Sequence, residues 1–492
     1  MEILFDYLEE DSWKGFIDLT PRTPSSSPEA CSTNYLPGFV RPIHTTISEA
    51  QYEHLLLQGA LTLPSFPLQQ ALLQSFFECV LPSMPIINWQ TFINIVSNKD
   101  GGQGRISLLL FQAIMFSATA FVNLDHLQKA GYSSREEAHE AFFEKAHLLY
   151  QSHYESDPLT NLQALLLMTH RAKATDGKDS RYWIEVAISL ALMMGLFRDL
   201  PSGYAGHHSQ KLHRRIAWTC YTADSLISFR LRCLPLIRSV DFNLSMLTEE
   251  DFDFNHIPME SRLLLPGCTF IRNLEVQKSL ASICISQAQL CLCIRRVLNV
   301  QARCNSTELS SEPTGKTPDS PNKHHSDYLT SIWMSQKALA DWEYSLPPIC
   351  QRPPTVFGFS SDESPIVAVH RNVLHMVYHG VVCVLYQSQI FQSSASRMQY
   401  AARQITEIAN ELDQMKTLHS LPIIGSTTIL IAMIIHLAEV QTSSPVKQGV
   451  TMRDIQSCIE LMKRLQDVHS CMDIVFPVID WNGYEVVVQT KG

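Results

Sequence analysis

The chain has 492 residues, 45% of them hydrophobic and 17% charged, which excludes a disordered protein and leaves ample apolar material for a large buried core. Against 48 Asp and Glu stand 38 Lys and Arg, and the resulting net charge of -10 excludes a dedicated nucleic-acid binder, which grips phosphates with clustered cations. The 13 cysteines follow no secreted-domain framework and the N-terminus is acidic where a secretory leader would be basic, so the thiols are expected to be reduced, in cytosol or nucleus.

Residues 2–19, EILFDYLEEDSWKGFIDL, set Phe5, Leu8, Trp13 and Phe16 among acids, and Pro21, Pro24 and Pro28 follow with serines between them. Residues 1–45 therefore read as an acidic-hydrophobic tail and a Pro/Ser-rich linker. The tail is either a terminal helix packed on the body or a segment that folds on a partner. From 46 to 490 the pattern predicts one helical domain. Apolar residues recur at three- and four-residue steps over 67–81, 105–124, 135–154, 159–172, 273–299, 325–345, 365–390, 398–415, 426–440 and 451–468. The same period runs through Tyr182, Val186, Leu190 and Met193, and through Leu212, Ile216, Cys220, Ala223 and Ile227. Alternating stretches are almost absent, so the expected fold is all-α, a large array of antiparallel packed helices. Breaks are expected at 100–104, 175–179 and 201–208, and the polar, Pro- and Ser-rich 303–325 predicts a disordered insertion. Two uncharged stretches, Asn372 to Ser396 and Thr417 to Ala438, are interrupted by His375 and His379, and by Pro422, Gly425 and His436. Both read as buried helices and not as membrane spans.

Enzyme motifs fail one by one. His139 and Glu140 begin a metalloprotease pattern, but Phe143 stands where the second ligand would be. Gly315, Lys316 and Thr317 end like a phosphate loop, with Ser310 in place of its first glycine. Gly101, Gly102 and Gly104 lack the preceding strand of a dinucleotide site. His370, His375 and His379 could share a metal by spacing alone, yet no Cys or carboxylate lies at a matching step, and core histidines are the expected reading. Cys284, Cys291 and Cys293 read as apolar fillers of a buried helix. No catalytic residue, cofactor or metal ligand is expected.

In the middle of the chain YWIEVAI, from Tyr182, leads into SLALMMGLFRDLP, and HRRIAWTCYTADSLISFRLRCLPLIRSVDFNLSMLTEEDFD runs from His213 to Asp253. Upstream stand GALTLP from Gly59, FFECVLPSMPIINWQTF from Phe76 and SLLLFQAIMFSATAFVNLDHLQKAGYSSREEA from Ser107. These blocks, in this order, resemble the fungal-specific transcription factor domain, the middle homology region of fungal zinc binuclear cluster regulators, in its cutinase transcription factor beta-like branch.

The resemblance implies roles for particular residues. Trp183 falls in the first matched block. Gly195 to Asp199, including Arg198, match a stretch that closes a helix, with Pro201 as the stop. Arg214, Arg215 and Trp218 match a basic, Trp-bearing helix start, and Asp224 an acidic position further along it. Arg232 and Pro235 match the turn that follows, and Arg238 and Asp241 the extended segment after it. Asp224 lies inside an apolar face, so pairing with an Arg is expected, because a buried unpaired charge is costly. All twelve named positions are read as structural. Two places depart from the family pattern: Ser225, where a second charge is usual, and Thr169, His170 and Arg171, which replace a more aromatic stretch.

No six-cysteine cluster occurs in the sequence. The resemblance therefore implies a nuclear transcription regulator or co-regulator of a metabolic or secondary-metabolite gene set. Its expected partners are proteins, a DNA-binding regulator or the transcription machinery, with homo- or heterodimers allowed and no membrane. DNA contact is expected only indirectly, unless a zinc cluster is missing from this gene model. The alternative is a small-molecule binding or modifying pathway protein that reuses the helical scaffold.

Overall fold

The computed structural model describes residues 36–42, 47–98, 100–171, 177–199, 207–254, 265–309, 321–353, 364–387, 392–442, 445–466 and 468. The tail at 1–35 lies outside the described residues, as do 310–320 at the centre of the expected insertion. Helices run to Leu309 before that gap and resume at Pro321 after it.

The described residues form α-helices and short turns, with two isolated parallel bridges, Val40 to Ile106 and Arg198 to Asn243, and no strand among them. In chain order the helices are α1 (Glu49–Leu57), α2 (Phe66–Ser75), α3 (Trp89–Ser97), α4 (Leu108–Thr119), α5 (Leu124–Lys129), α6 (Arg135–Gln151), α7 (Pro158–Met168) and α8 (Ser180–Met193). Then come α9 (His207–Leu231), α10 (Thr269–Arg272), α11 (Leu274–Leu309), α12 (Pro321–Tyr344), α13 (Pro365–Gln387), α14 (Gln392–Gln414), α15 (Ile423–Thr442) and α16 (Pro445–Gln466). The all-α expectation holds, and its physical basis is the helical period of the apolar residues.

Local signals set the helix ends. The Asp157 side chain accepts from the backbone N–H groups of Leu159 and Thr160, and Pro158 occupies the first helical position of α7, where its missing N–H costs nothing. Asp179 caps α8 in the same way through the N–H groups of Arg181 and Tyr182. At the other end of α8, Gly195 takes φ +66°, and the Leu196 N–H reaches back 2.9 Å to the Ala191 carbonyl, a left-handed closure that glycine adopts without strain. After α2 the chain widens into one π turn, Phe76–Val80, which buries Phe76, Phe77 and Val80 together.

Three groups of helices surround one continuous apolar core. Helix α4 lies at the centre of the first, with all twelve of its residues buried against α2, α6 and α7. A helix apolar on every side belongs inside a protein of this size. Helices α9 and α11 cross the middle, and α13 to α16 pack on one another to close the far side. Segments Leu274–Arg303 and Ile423–Gln441 are long and apolar enough to cross a membrane by length and composition, yet 72% of each apolar window is buried inside the protein. The stretch at 372–387 is likewise helix α13, buried along most of its length.

Candidate functional site

Helix α9 carries the densest cluster of buried polar groups. Asp224 is fully buried, and its carboxylate is satisfied from three directions. Arg295 on α11 donates from Nη2 to Oδ2 at 2.6 Å, and the backbone N–H groups of Leu236 and Ile237 donate at 3.0 Å to Oδ1 and Oδ2. Arg181 at the start of α8 stands 3.9 Å from Oδ1 and donates to Ser228 Oγ at 3.1 Å. Arg295 spends its remaining donors on Ser225 Oγ at 2.7 Å and on the Ile237 carbonyl at 2.6 Å, and its guanidinium lies 3.9 Å from the Tyr221 ring centroid. A buried ion pair is tolerated only when its remaining hydrogen-bonding capacity is met, and here it is.

The Arg expected beside Asp224 is therefore Arg295, and Ser225 belongs to the same network. The carboxylate also fixes the turn after α9. Arg232 there has φ +56°, and Pro235 precedes the two N–H groups that Asp224 accepts.

The remaining family-motif residues fall into separate contacts. Arg215 on α9 donates to the carbonyls of Pro85 at 3.0 Å and Asp251 at 2.6 Å and lies 3.5 Å from the Asp253 carboxylate, which ties the loop before α3 to the segment after α9. Arg214 pairs with Asp251 at 3.0 Å and approaches Asp199 at 3.9 Å. Trp218 donates from its indole to the Ser245 carbonyl at 2.9 Å. Arg198 bridges to Asn243, and Arg238 and Asp241 form an exposed bidentate pair. Trp183, buried, donates to the Lys178 carbonyl and meets Phe143, His147 and Tyr150 edge-on. The contacts of these positions are spread over α6, α8, α9, the loop before α3 and the segment 234–253, and the twelve do not converge on one pocket.

A cavity of about 500 Å3 opens beside α9, and sequence reasoning missed it. Its walls come from residues far apart in the chain: α6 supplies Arg135, His139 and Glu140, the turn after α7 supplies His170 and Arg171, and α9 supplies Ala223, Leu226 and Ile227. Gln287 of α11, His370 and Val373 of α13, and Ile423 and Ile424 of α15 also line it. At the rim Arg171 pairs with Glu140 at 2.7 Å and stacks 3.9 Å over Phe143, while Arg135 donates to the carbonyls of Thr119 at 2.7 Å and Val122 at 2.6 Å. His170 Nδ1 lies 3.0 Å from the Leu167 carbonyl and His370 Nε2 lies 2.8 Å from the Glu78 carbonyl. Burial lowers the pKa of both imidazoles, so both are neutral at pH 7. Burial pushes the Cys79 thiol in the same wall up to about 12, which removes it as a nucleophile.

Of the histidines weighed as metal ligands, His375 and His379 line one cavity and His370 another. His370 faces Glu78, His375 Nε2 lies 2.8 Å from the Cys350 carbonyl, and His379 packs edge-on against Tyr378. Among the described residues no group of three or more His, Cys, Asp or Glu is placed to hold a metal. Cys284, Cys291 and Cys293 are buried in α11, and burial raises all three thiol pKa values.

These elements define an all-α domain with a paired carboxylate at its centre and a mixed cavity beside it. The model of the fungal specific transcription factor domain matches residues 73–417, and the chain belongs to that family. It is 37% identical to cutinase transcription factor 1 beta of Fusarium vanettenii over 94% of this chain and 54% of that protein. A transcription factor of Fusarium pseudograminearum (strain CS3096) is 27% identical over 96% of this chain and 56% of its own length. The fusaric acid cluster transcription factor FUB12 of Gibberella moniliformis (strain M3125 / FGSC 7600) is 28% identical over 45% of this chain and 32% of that protein. The chain spans about half the length of the first two relatives. No solved structure matches it.

Proposed function

We propose that this chain is a nuclear regulator of transcription of fungal type that acts through protein partners on a metabolic or secondary-metabolite gene set. The observation that carries the reading is the family match across 73–417, the stretch that contains the Asp224–Arg295 network and most of the cavity wall. Relatives named for cutinase and for a fusaric acid cluster support metabolic control. The twelve family-motif residues act as the frame of the domain: their contacts join helices and loops to one another and leave no shared reactive centre. With a net charge of -10 these residues carry little to neutralise phosphates, so promoter contact runs through a DNA-binding partner, unless a zinc cluster is missing from this gene model.

The test combines three measurements. A fluorescent fusion should accumulate in nuclei. Chromatin immunoprecipitation should find the chain at promoters, and its deletion should change transcripts of a co-regulated metabolic set. A gel shift with the purified chain on the same promoter fragments should show no sequence-specific complex. Exclusion from nuclei together with an unchanged transcriptome would sink the reading, and tight specific binding by the pure chain would sink the partner requirement alone.

A further inference from the structure

We propose that the cavity beside α9 is a binding site for an uncharged, largely apolar small molecule that carries one or two hydroxyl or carbonyl oxygens. Its size falls in the range of ligand sites, roughly 300–1,000 Å3, and is far above the packing defects of an ordinary core. Leu226, Ile227, Val373 and Ile424 give it apolar walls.

The polar groups inside are neutral and have spare capacity. A backbone carbonyl only accepts, so the imidazole nitrogen beside it must carry the proton, and a neutral ring then offers its other nitrogen as an acceptor. By that rule His170 presents Nε2 and His370 presents Nδ1 as acceptors. Gln287 adds an amide with both donor and acceptor, for which the described residues supply no hydrogen-bond partner. A hydroxyl can donate to such an imidazole, and a carbonyl can accept from the amide. The full charges of the wall are of both signs, Arg135, Arg171 and Arg230 against Glu136 and Glu140; Arg171 pairs with Glu140, Arg135 donates to the Thr119 and Val122 carbonyls, and Arg230 donates to Ser180 Oγ. A charged group would lose its hydration on entering a wall whose charges are of both signs and partly opposed to its own, which favours a neutral ligand.

The position gives the site a regulatory consequence. On α9 the cavity takes Ala223, Leu226 and Ile227, whereas Asp224, Ser225 and Ser228 take part in the ionic network on the other side. An occupant therefore packs on the helix that holds the network together, and it joins elements of the N-terminal, middle and C-terminal groups. That consequence rests on the proposed function, whereas the binding itself can be measured without transcription.

The experiment titrates the purified full chain with Nile red, which is neutral and bears a carbonyl, and in parallel with 1-anilinonaphthalene-8-sulfonate, an anion of similar size. Saturable, blue-shifted Nile red emission with one site per chain is expected. Ala223→Phe, which fills the cavity, should weaken it at least about tenfold, and Gln287→Met, which keeps the volume and removes the amide, should weaken it about threefold or more. Trp333→Ala removes an aromatic that is 57% exposed on α12 and should leave binding unchanged. Circular dichroism melts establish that each variant is folded, and if Ala223→Phe is not, Gln287→Met decides. No saturable binding, binding that survives in the folded variants, or loss of binding in Trp333→Ala would overturn the site. Equal or tighter capture of the sulfonate would overturn the uncharged class.

Discussion

Arg295 on α11 reaches Asp224 on α9 at 2.6 Å across a helix interface from which both side chains are almost wholly shielded. The carboxylate also accepts two backbone N–H groups from the turn after α9, so one side chain joins two helices and a loop. Removing either partner leaves the other charge buried without compensation. Asp224→Ala and Arg295→Met should each destabilise the fold by about 3–5 kcal/mol, read as a lowered urea midpoint. The double variant should cost clearly less than the sum. Additive losses would show that the pair is not coupled.

Arg215 serves four acceptors through one planar fork, including the Pro85 and Asp251 carbonyls. Lysine keeps the charge but cannot reproduce that geometry. Arg215→Lys should therefore destabilise by about 1–3 kcal/mol by leaving a buried carbonyl without its donor. Limited proteolysis should show faster cleavage within 82–88, and a wild-type digestion pattern would contradict this role.

Gly380 sits mid-helix in α13, where glycine ordinarily costs about 1 kcal/mol relative to alanine. Here a Cβ would lie 2.9 Å from Thr428 Cγ2 and 3.4 Å from Phe229 Cζ, so α13 approaches α15 and α9 too closely for a methyl group. Thr428 is buried and β-branched and has little freedom to move. Gly380→Ala should lower the melting temperature, by roughly 1–3 kcal/mol of stability, despite its better helix propensity. A raised melting temperature would mean that the interface relaxes.

Burial, reinforced by Arg352 and Arg371, holds the His375 imidazole down to about 4, while its Nε2 hydrogen-bonds to the Cys350 carbonyl. Above pH 6.5 the ring is neutral in both folded and unfolded chains and contributes no pH dependence. Between 6.5 and about 4 the unfolded chain takes up a proton that the folded chain refuses, so stability falls with falling pH by about 1.4 kcal/mol per unit at most. Urea titrations at pH 7.5 and 5.0 should show this loss, and His375→Gln should reduce it. An unchanged slope in that variant would assign the acid sensitivity to other groups.

The helices were legible because their causes are local. Apolar steps of three and four, with caps such as Asp157, predict 159–172 where α7 spans Pro158–Met168, and 365–390 where α13 spans Pro365–Gln387. Short elements were harder: α1, α3 and α5 lie outside the predicted runs, since six to nine residues barely complete two turns of a period. The π turn at Phe76–Val80 was invisible, because its apolar residues fit an ordinary helix equally well.

By itself the sequence determined the all-α class, the positions of the longer helices, the family resemblance and the need for a cation beside Asp224. Each follows from the order and spacing of residues along the chain. Only the tertiary structure decided that the cation is Arg295, 71 residues away, because pairing across an interface depends on which helix faces meet. The same holds for the cavity, whose walls include residues of α6, α9, α11, α13 and α15 and of the turn after α7. Its residues carry no shared period or motif. Histidine, glutamine and isoleucine become a site there because packed helices leave a space between them, and that space belongs to no single segment.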